Sequence, residues 1–598
     1  MRVNWLLTSM AVGALLAACG GATGESESPT PAPPNAATPD ADASDLDEDG
    51  CPKRAFPLAE PATSARRPLD LAPLAAARAE LTDARRAALD GLLLEAPLTH
   101  IQAALADGRT TSAELVSYYL DRIARYDAGG LNAVMTLNAH ALADAAALDA
   151  ERAAAGPRGP LHGIPVLLKD NIATGDGLHT TAGSFALREW RPVRDAFLTA
   201  RLREAGAVIL GKTNLSEWAN YTDPCLPNGF SAVGGQTHSP YGPFDPSGSS
   251  TGSAVAVAAN LAPLSVGSET QGSIIWPARD HSLVGLKPSV GLVSRGGVVP
   301  LVDWMDTPGP FGRTVADVAA LLTALAAPGP GGIDADDPTT AAAAPLVGRN
   351  FTRYLSPEMG ERVRVGVVVV REGDVAVALA QRQRDLGRDL TVAEEAEVRE
   401  ALVETEEGEH IATALRAQGI AVVVIPYQAA FRLAAPALGD VLTYGFGDGL
   451  DRFLSGWAAD APVRSLAEVA AVYAADPANR APYGFRSVAA AATTAITAAE
   501  YAAQVEANRA GAQAAIRAVL REYGVAVLAG EVGQSYAAAG FPALAVPNGP
   551  GANGEPVGVV FIGDYLSEPH LLAVGAAYER SRPGRIAPDL DAILPTLP

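Results

Sequence analysis

The chain of 598 residues is 48% hydrophobic and 19% charged, so it holds enough apolar material for a large core and needs no staple to fold. A formal net charge of −22 at pH 7 disfavours nucleic-acid partners, whose phosphates are gathered by Lys and Arg clusters. With 59 Gly and 45 Pro, no fibrous reading is called for.

Arg2 precedes an apolar stretch from Trp5 to Ala18, shorter than the ~20 residues that span a bilayer and typical of a secretory leader over residues 1–18. It ends in Leu16-Ala17-Ala18-Cys19, which resembles the lipobox of bacterial lipoproteins, where the cysteine is lipidated and becomes the new N-terminus; an ordinary cleavage site beside a chance Cys19 is the alternative. Gly20 follows Cys19, which in such lipoproteins implies sorting to the outer membrane. Residues 19–55 are rich in Pro, Ser and acid and read as a disordered tether. Asp45, Asp47 and Asp49 alternate as in a calcium loop, but no bidentate Glu follows at the needed spacing, so they read as linker. Cys51 and Cys225 can pair in an oxidising compartment or stand as two free thiols, and sequence leaves both open.

From Leu92 to Leu148 apolar residues recur at helical spacing, with Thr110, Thr111 and Ser112 as capping candidates. Short apolar runs of β character follow: IPVLLK from 164, AVILG from 207, PLSVGS from 263, VRVGVVVV from 363, IAVVVIPY from 420, VAVLAG from 525, FPALAVP from 541 and PVGVVFIG from 556. Helical stretches of small residues separate most of them, which predicts an α/β fold with a large β-sheet covered by helices on both faces. Residues 371–418 are the most charged and read as an exposed helical excursion between two strands, and a second helical region spans about 435–523.

Gly206 to Thr213 (GAVILGKT) satisfies the Walker A expression, yet Ala207-Val208-Ile209-Leu210 prefers an extended strand over a phosphate-cradling loop. The eight His are scattered singly and no HExxH or Cys-His cluster occurs, so no metal site is expected. The remaining candidate is Asp245 to Lys287. Gly252 onward is an all-round apolar helix of small residues, which places the preceding Ser and Gly residues at a buried helix N-terminus. A second Gly-Ser turn, Glu269-Thr270-Gln271-Gly272-Ser273, follows a run of β character. Serines beside close backbone turns and helix ends bring N–H donors to an anion, as acyl transfer requires.

This arrangement resembles the amidase signature family, whose hallmark is GGSSGGS followed by a second Gly-Ser turn. Further elements of the family occur in order: GIPVLLKDN from 163, TTAGS from 180, GKTNLSEWAN from 211 and GLKPSVGLVSRGGVVP from 285. The resemblance covers about residues 90–590 and implies one large mixed-sheet domain over 56–598. Position by position, it makes Lys169 the base, Ser249 the relay serine with a cis peptide bond, and Ser273 the nucleophile. Family members separate the two serines by 24 positions, as Ser249 and Ser273 are here, which selects Ser249 over Ser250 and Ser253. The backbone N–H groups of Thr270, Gln271, Gly272 and Ser273 match the oxyanion loop.

Such chemistry needs no cofactor. A Ser hydroxyl must lose its proton as it attacks the amide carbon, and Ser249 can relay that proton only to a neutral Lys169, so burial must lower the lysine pKa. The sequence departs from the family at Ser247, at Thr251-Gly252, and at Ile275, where a frequent Arg is lost; that loss weakens small-acid and glutamine specificity. The motifs are more similar to the bacterial peptide amidases, which release ammonia from C-terminal peptide amides. The expectation is therefore an envelope lipoprotein that hydrolyses peptide-type amides, with a short peptide or small molecule as partner and a lipid anchor as its membrane contact. The alternatives are an amidase of aryl, fatty or aliphatic amides, a non-catalytic binding module, and a glutamine-using transamidation subunit.

Overall fold

All eight apolar runs of β character become strands, because β-branched and small residues fit a pleated surface, and all but the edge strand Ala421–Pro426 are largely buried. The structure, a computed structural model, describes residues 51–598 apart from short interruptions, the longest at 76–80 and 396–406. The leader, Cys19 and the tether through residue 50 lie outside the described residues.

The strands are β1 (Val134–Leu137), β2 (Pro165–Lys169), β3 (Val208–Thr213), β4 (Phe230–Ser231), β5 (Gly235–Gln236), β6 (Leu264–Glu269), β7 (Val284–Lys287), β8 (Thr307–Gly312), β9 (Arg364–Val369), β10 (Ala421–Pro426), β11 (Val527–Ala529), β12 (Ala543–Pro550) and β13 (Pro556–Gly563). Except for the small β4–β5 hairpin they form one sheet of 11 strands in the order β1-β3-β2-β6-β8-β7-β12-β13-β11-β9-β10. The sheet is mixed: β3, β2 and β6 run parallel, as do β11, β9 and β10, while β8, β7, β12 and β13 pair antiparallel. Alternate residues enter different cores. Val367, Val527, Ala529 and Leu544 join one cluster and Val368, Leu528, Ala543 and Ala545 another, so apolar layers cover both faces.

Three strands of the large sheet had no legible signal. β1 lies inside the stretch read as helical from Leu92 to Leu148, where the four residues VMTL pair antiparallel with β3. β7 and β8 carry Gly and Pro (VGLK and TPGPFG), residues depleted in strands that here are tolerated within a paired, buried sheet. The stretch that matches Walker A is a strand, β3, and Lys212 within it is buried, donating to Thr180 Oγ1 at 2.8 Å and to the Ile172 carbonyl.

Of the charged excursion, helices Glu372–Leu386 and Glu407–Ala417 are described, between β9 and β10. The region from 435 to 523 is helical as expected, ending in the long helix Ala498–Tyr523. Residues 51–55, read as the end of the tether, are instead pinned to the body: Cys51 is disulfide-bonded to Cys225, and Arg54 donates to the Cys225 carbonyl at 2.7 Å and lies over the Tyr483 ring.

Candidate active site

Parallel pairing of β2 with β3 and β6 brings the carboxyl ends of all three strands to one edge of the sheet, where open α/β folds place their ligands. Lys169 ends β2 and Glu269 ends β6. Behind them the helix Thr251–Ala258 is buried along its whole length, so the turn that starts it must sit at that edge. Gly252 permits the close fit: a Cβ there would stand 2.4 Å from the Ala133 carbonyl oxygen.

The Gly248–Ser249 peptide is cis, as the resemblance implies. Lys169 Nζ donates to Ser249 Oγ at 2.8 Å, to Ser250 Oγ at 3.0 Å and to the Ser268 carbonyl at 3.1 Å. Both Lys169 and Ser249 are 0% exposed. Burial pushes the lysine down to about 7, against the opposing pull of Asp306 and Glu269. A lysine so placed is available as a neutral base near pH 7.

Ser250 and Ser253 take other parts. Ser250 Oγ donates to the Ser268 carbonyl at 2.9 Å and accepts the Ser268 N–H at 3.2 Å, so it joins the helix to β6. Ser253 Oγ lies 2.7 Å from Thr213 Oγ1 and donates to the Val266 carbonyl. Of the two serines that accept from Lys169, only Ser249 Oγ has no further hydrogen-bond partner among the described residues.

The backbone N–H of Ser250 donates to the Ser273 carbonyl at 3.2 Å, which brings the second Gly-Ser turn beside the first. Ser273 is 6% exposed. Among the described residues, the N–H groups of Gln271, Gly272 and Ser273 have no partner, the arrangement a developing oxyanion needs. Gly272 has φ +80°, and a Cβ there would meet the Trp276 ring at 2.2 Å, so both backbone and space demand glycine.

Two carboxylates hold this turn from opposite ends. Thr270 Oγ1 donates to Asp306, which also accepts the N–H groups of Leu301 and Val302 at 2.7 and 2.9 Å. Glu269 Oε2 accepts the N–H groups of Ile274 and Ile275 at 2.7 and 3.0 Å, and Tyr536 donates to Oε1 at 3.0 Å. Ile275 itself is buried in an apolar cluster with Ile274, Ala278 and Leu283, so no cation stands at that position.

A cavity of about 480 Å³ opens beside the turn, lined among others by Asn171, Ser268, Thr270, Trp304, Phe453 and Trp457. Phe453 and Trp457 stack with ring centroids 5.6 Å apart. Ala219, another lining residue, lies in the left-handed segment Trp218–Asn220. That segment is fixed by Tyr473, whose hydroxyl donates to Glu217, receives Trp218 Nε1 at 2.8 Å and lies 2.7 Å from Ser184 Oγ. Burial pushes the Glu217 carboxyl up to about 8.

Sequence reasoning thus named Lys169, Ser249 and the 270–273 turn, and missed Glu269, Asp306 and the Glu217–Tyr473 pair. Glu269 had a signal, being an acid directly before the turn. Asp306 and Tyr473 had none, because they reach the site only through the fold.

The family model described as Amidase matches residues 114–417. A protein of Arabidopsis thaliana described as a probable amidase is 34% identical over 499 residues, covering 81% of this chain and 90% of its own length, while a glutamyl-tRNA(Gln) amidotransferase subunit of Salinispora arenicola is 43% identical over 250 residues, 41% of this chain and 48% of that protein. The structure of the peptide amidase from Stenotrophomonas maltophilia superposes with a TM-score of 0.70 at 38% identity, covering 83% of this chain and 99% of the other.

Proposed function

Because the chain belongs to the amidase family and is a hydrolase of amides, we propose that it cleaves C-terminal peptide amides to acid and ammonia with Ser273 as nucleophile, Ser249 as relay and Lys169 as base. The observation that carries this reading is the buried hydrogen bond from Lys169 to Ser249, with the Ser273 turn bonded to the neighbouring serine.

As Ser273 Oγ attacks the amide carbon, its proton passes to Ser249 and the Ser249 proton to Lys169. The N–H groups of Gln271, Gly272 and Ser273, with Thr270 beginning the loop, hold the oxyanion of the tetrahedral intermediate. When the C–N bond breaks, the Lys169 ammonium returns the proton through Ser249 to the departing ammonia. Water then enters by the same relay and releases the acid from Ser273.

Peptide amides are favoured by similarity to the peptide amidase and by Ile275, which puts a buried apolar side chain where the family frequently carries an Arg. Glutamine transamidation is disfavoured on the same ground, even though components of such a system are among the relatives. Export on a Cys19 lipid anchor belongs to the same proposal. The apolar stretch from Trp5 to Ala18 ahead of Cys19 supports it, and so does the Cys51–Cys225 disulfide, a bond that persists in oxidising compartments.

Ammonia release from C-terminally amidated peptides, glutamine, and simple aliphatic and aromatic amides tests the substrate class. Turnover confined to the non-peptide amides sinks the peptide reading. A fluorophosphonate should label Ser273, and labelling that survives Ser273→Ala moves the nucleophile elsewhere.

A further inference from the structure

The loop from Thr270 to Ser273 has to do two things at once: keep its N–H groups aimed at one point and sit beside a lysine that gains a positive charge in the reaction. One side chain bears on both. Glu269 is the last residue of β6, is 1% exposed, and folds back so that its Oε2 takes the N–H groups of Ile274 and Ile275, the two residues after the nucleophile. The four residues 270–273 are thereby closed into a ring between the Glu269 backbone and the Glu269 carboxylate. The same carboxylate and that of Asp306 are the two charges that favour the Lys169 ammonium.

We propose that Glu269 is a positioning residue of this site, which fixes the Ser273 turn through its hydrogen bonds and steadies the ammonium that Lys169 becomes when it takes the serine proton. The inference rests on the catalytic reading of Ser273, Ser249 and Lys169. The groups around it make the assignment specific. Lys169 faces the Ser249 and Ser250 hydroxyls, the Ser268 carbonyl, and the charges of Glu269 and Asp306. Glu269 faces Tyr536 from the helix Ser535–Ala539 and Lys287 at the end of β7; Lys287 lies over the Tyr536 ring and also feels Glu568 and Asp306. Burial pushes Asp306 up to about 6, so its charge fades on the acid side.

A charge that steadies the ammonium also raises the pH at which Lys169 becomes a free base. Removing it has a consequence that loosening the turn alone does not: the acid edge of reactivity moves down. The test is the second-order rate of inactivation by a fluorophosphonate, followed against pH in the wild type and in Glu269→Gln, which retains a side chain of the same shape. The acid midpoint of the variant is expected about one pH unit lower, with a slower plateau. A plateau that falls with the midpoint unmoved overturns the proposal and leaves a structural role only. Glu269→Asp, which keeps the charge but retracts it from Ile274 and Ile275, is expected to hold the wild-type midpoint and lose at least about tenfold in plateau rate; a wild-type plateau, or a shifted midpoint, overturns it as well. Failure of the catalytic reading looks different: the wild type itself is then not labelled at Ser273, and both inferences fall together.

Discussion

Lys169 Nζ stands 2.8 Å from Ser249 Oγ with neither side chain reachable by water. An ammonium cannot accept the serine proton, and burial places the lysine at about 7. Turnover should therefore climb about tenfold per pH unit on the acid side and level off above about pH 7. Lys169→Met should erase that limb and lower kcat/KM by about 10²- to 10⁴-fold. Ammonia release measured across pH 5 to 9 would contradict this if the limb survived the substitution.

Ser249 and Ser250 both receive a hydrogen bond from Lys169, but only Ser250 is also tied to the backbone of Ser268 in both directions. Ser249→Ala should cost at least about 10²-fold in turnover, as loss of a proton-transfer partner does. Ser250→Ala should act mainly on stability, lowering it by about 1–3 kcal/mol through unmet polar groups. Kinetics and denaturant unfolding of the two variants decide the matter, and the reverse ordering would reassign the relay.

Tyr473 comes from the helix Leu466–Ala475 and meets Glu217, Trp218 and Ser184 at one hydroxyl. Tyr473→Phe leaves the buried Glu217 carboxyl, the Trp218 indole and the Ser184 hydroxyl each with a partner fewer, which should cost about 1–3 kcal/mol. Because Ala219 lines the cavity next to Trp218, KM should rise more than kcat falls. An unchanged melting temperature and unchanged KM would show that the network does not hold the cavity wall.

Cys51 and Cys225 are 174 positions apart, a long loop for one bond to close. Cys225→Ser should lower stability by about 2–5 kcal/mol, and reductant should lower the wild type by a similar amount. Equal unfolding midpoints with and without reductant would argue that the pair is not formed in the protein.

The fold was largely legible because its strands advertise themselves. IPVLLK, VRVGVVVV and FPALAVP are apolar on both faces, and only a sheet covered twice can bury them. β8 was illegible for the opposite reason: TPGPFG is mostly Gly and Pro, which strands avoid, and it pairs with β6 and β7 because tertiary context overrides that preference. β1 was hidden in a helical neighbourhood, four residues being too few to establish an alternation.

At the site, the chain itself determined the residue types, the 24-position spacing from Ser249 to Ser273, and the turn that only Gly272 can make. These are local properties, written in consecutive residues. Tertiary structure decided which serine faces Lys169 alone, how far the lysine is stripped of its charge, and which carboxylates grip the turn. The reason is that burial and hydrogen-bond direction depend on what packs from elsewhere in the chain: Asp306 from the segment before β8, Tyr536 from near the C-terminal strands, Tyr473 from the helical region that closes over the cavity.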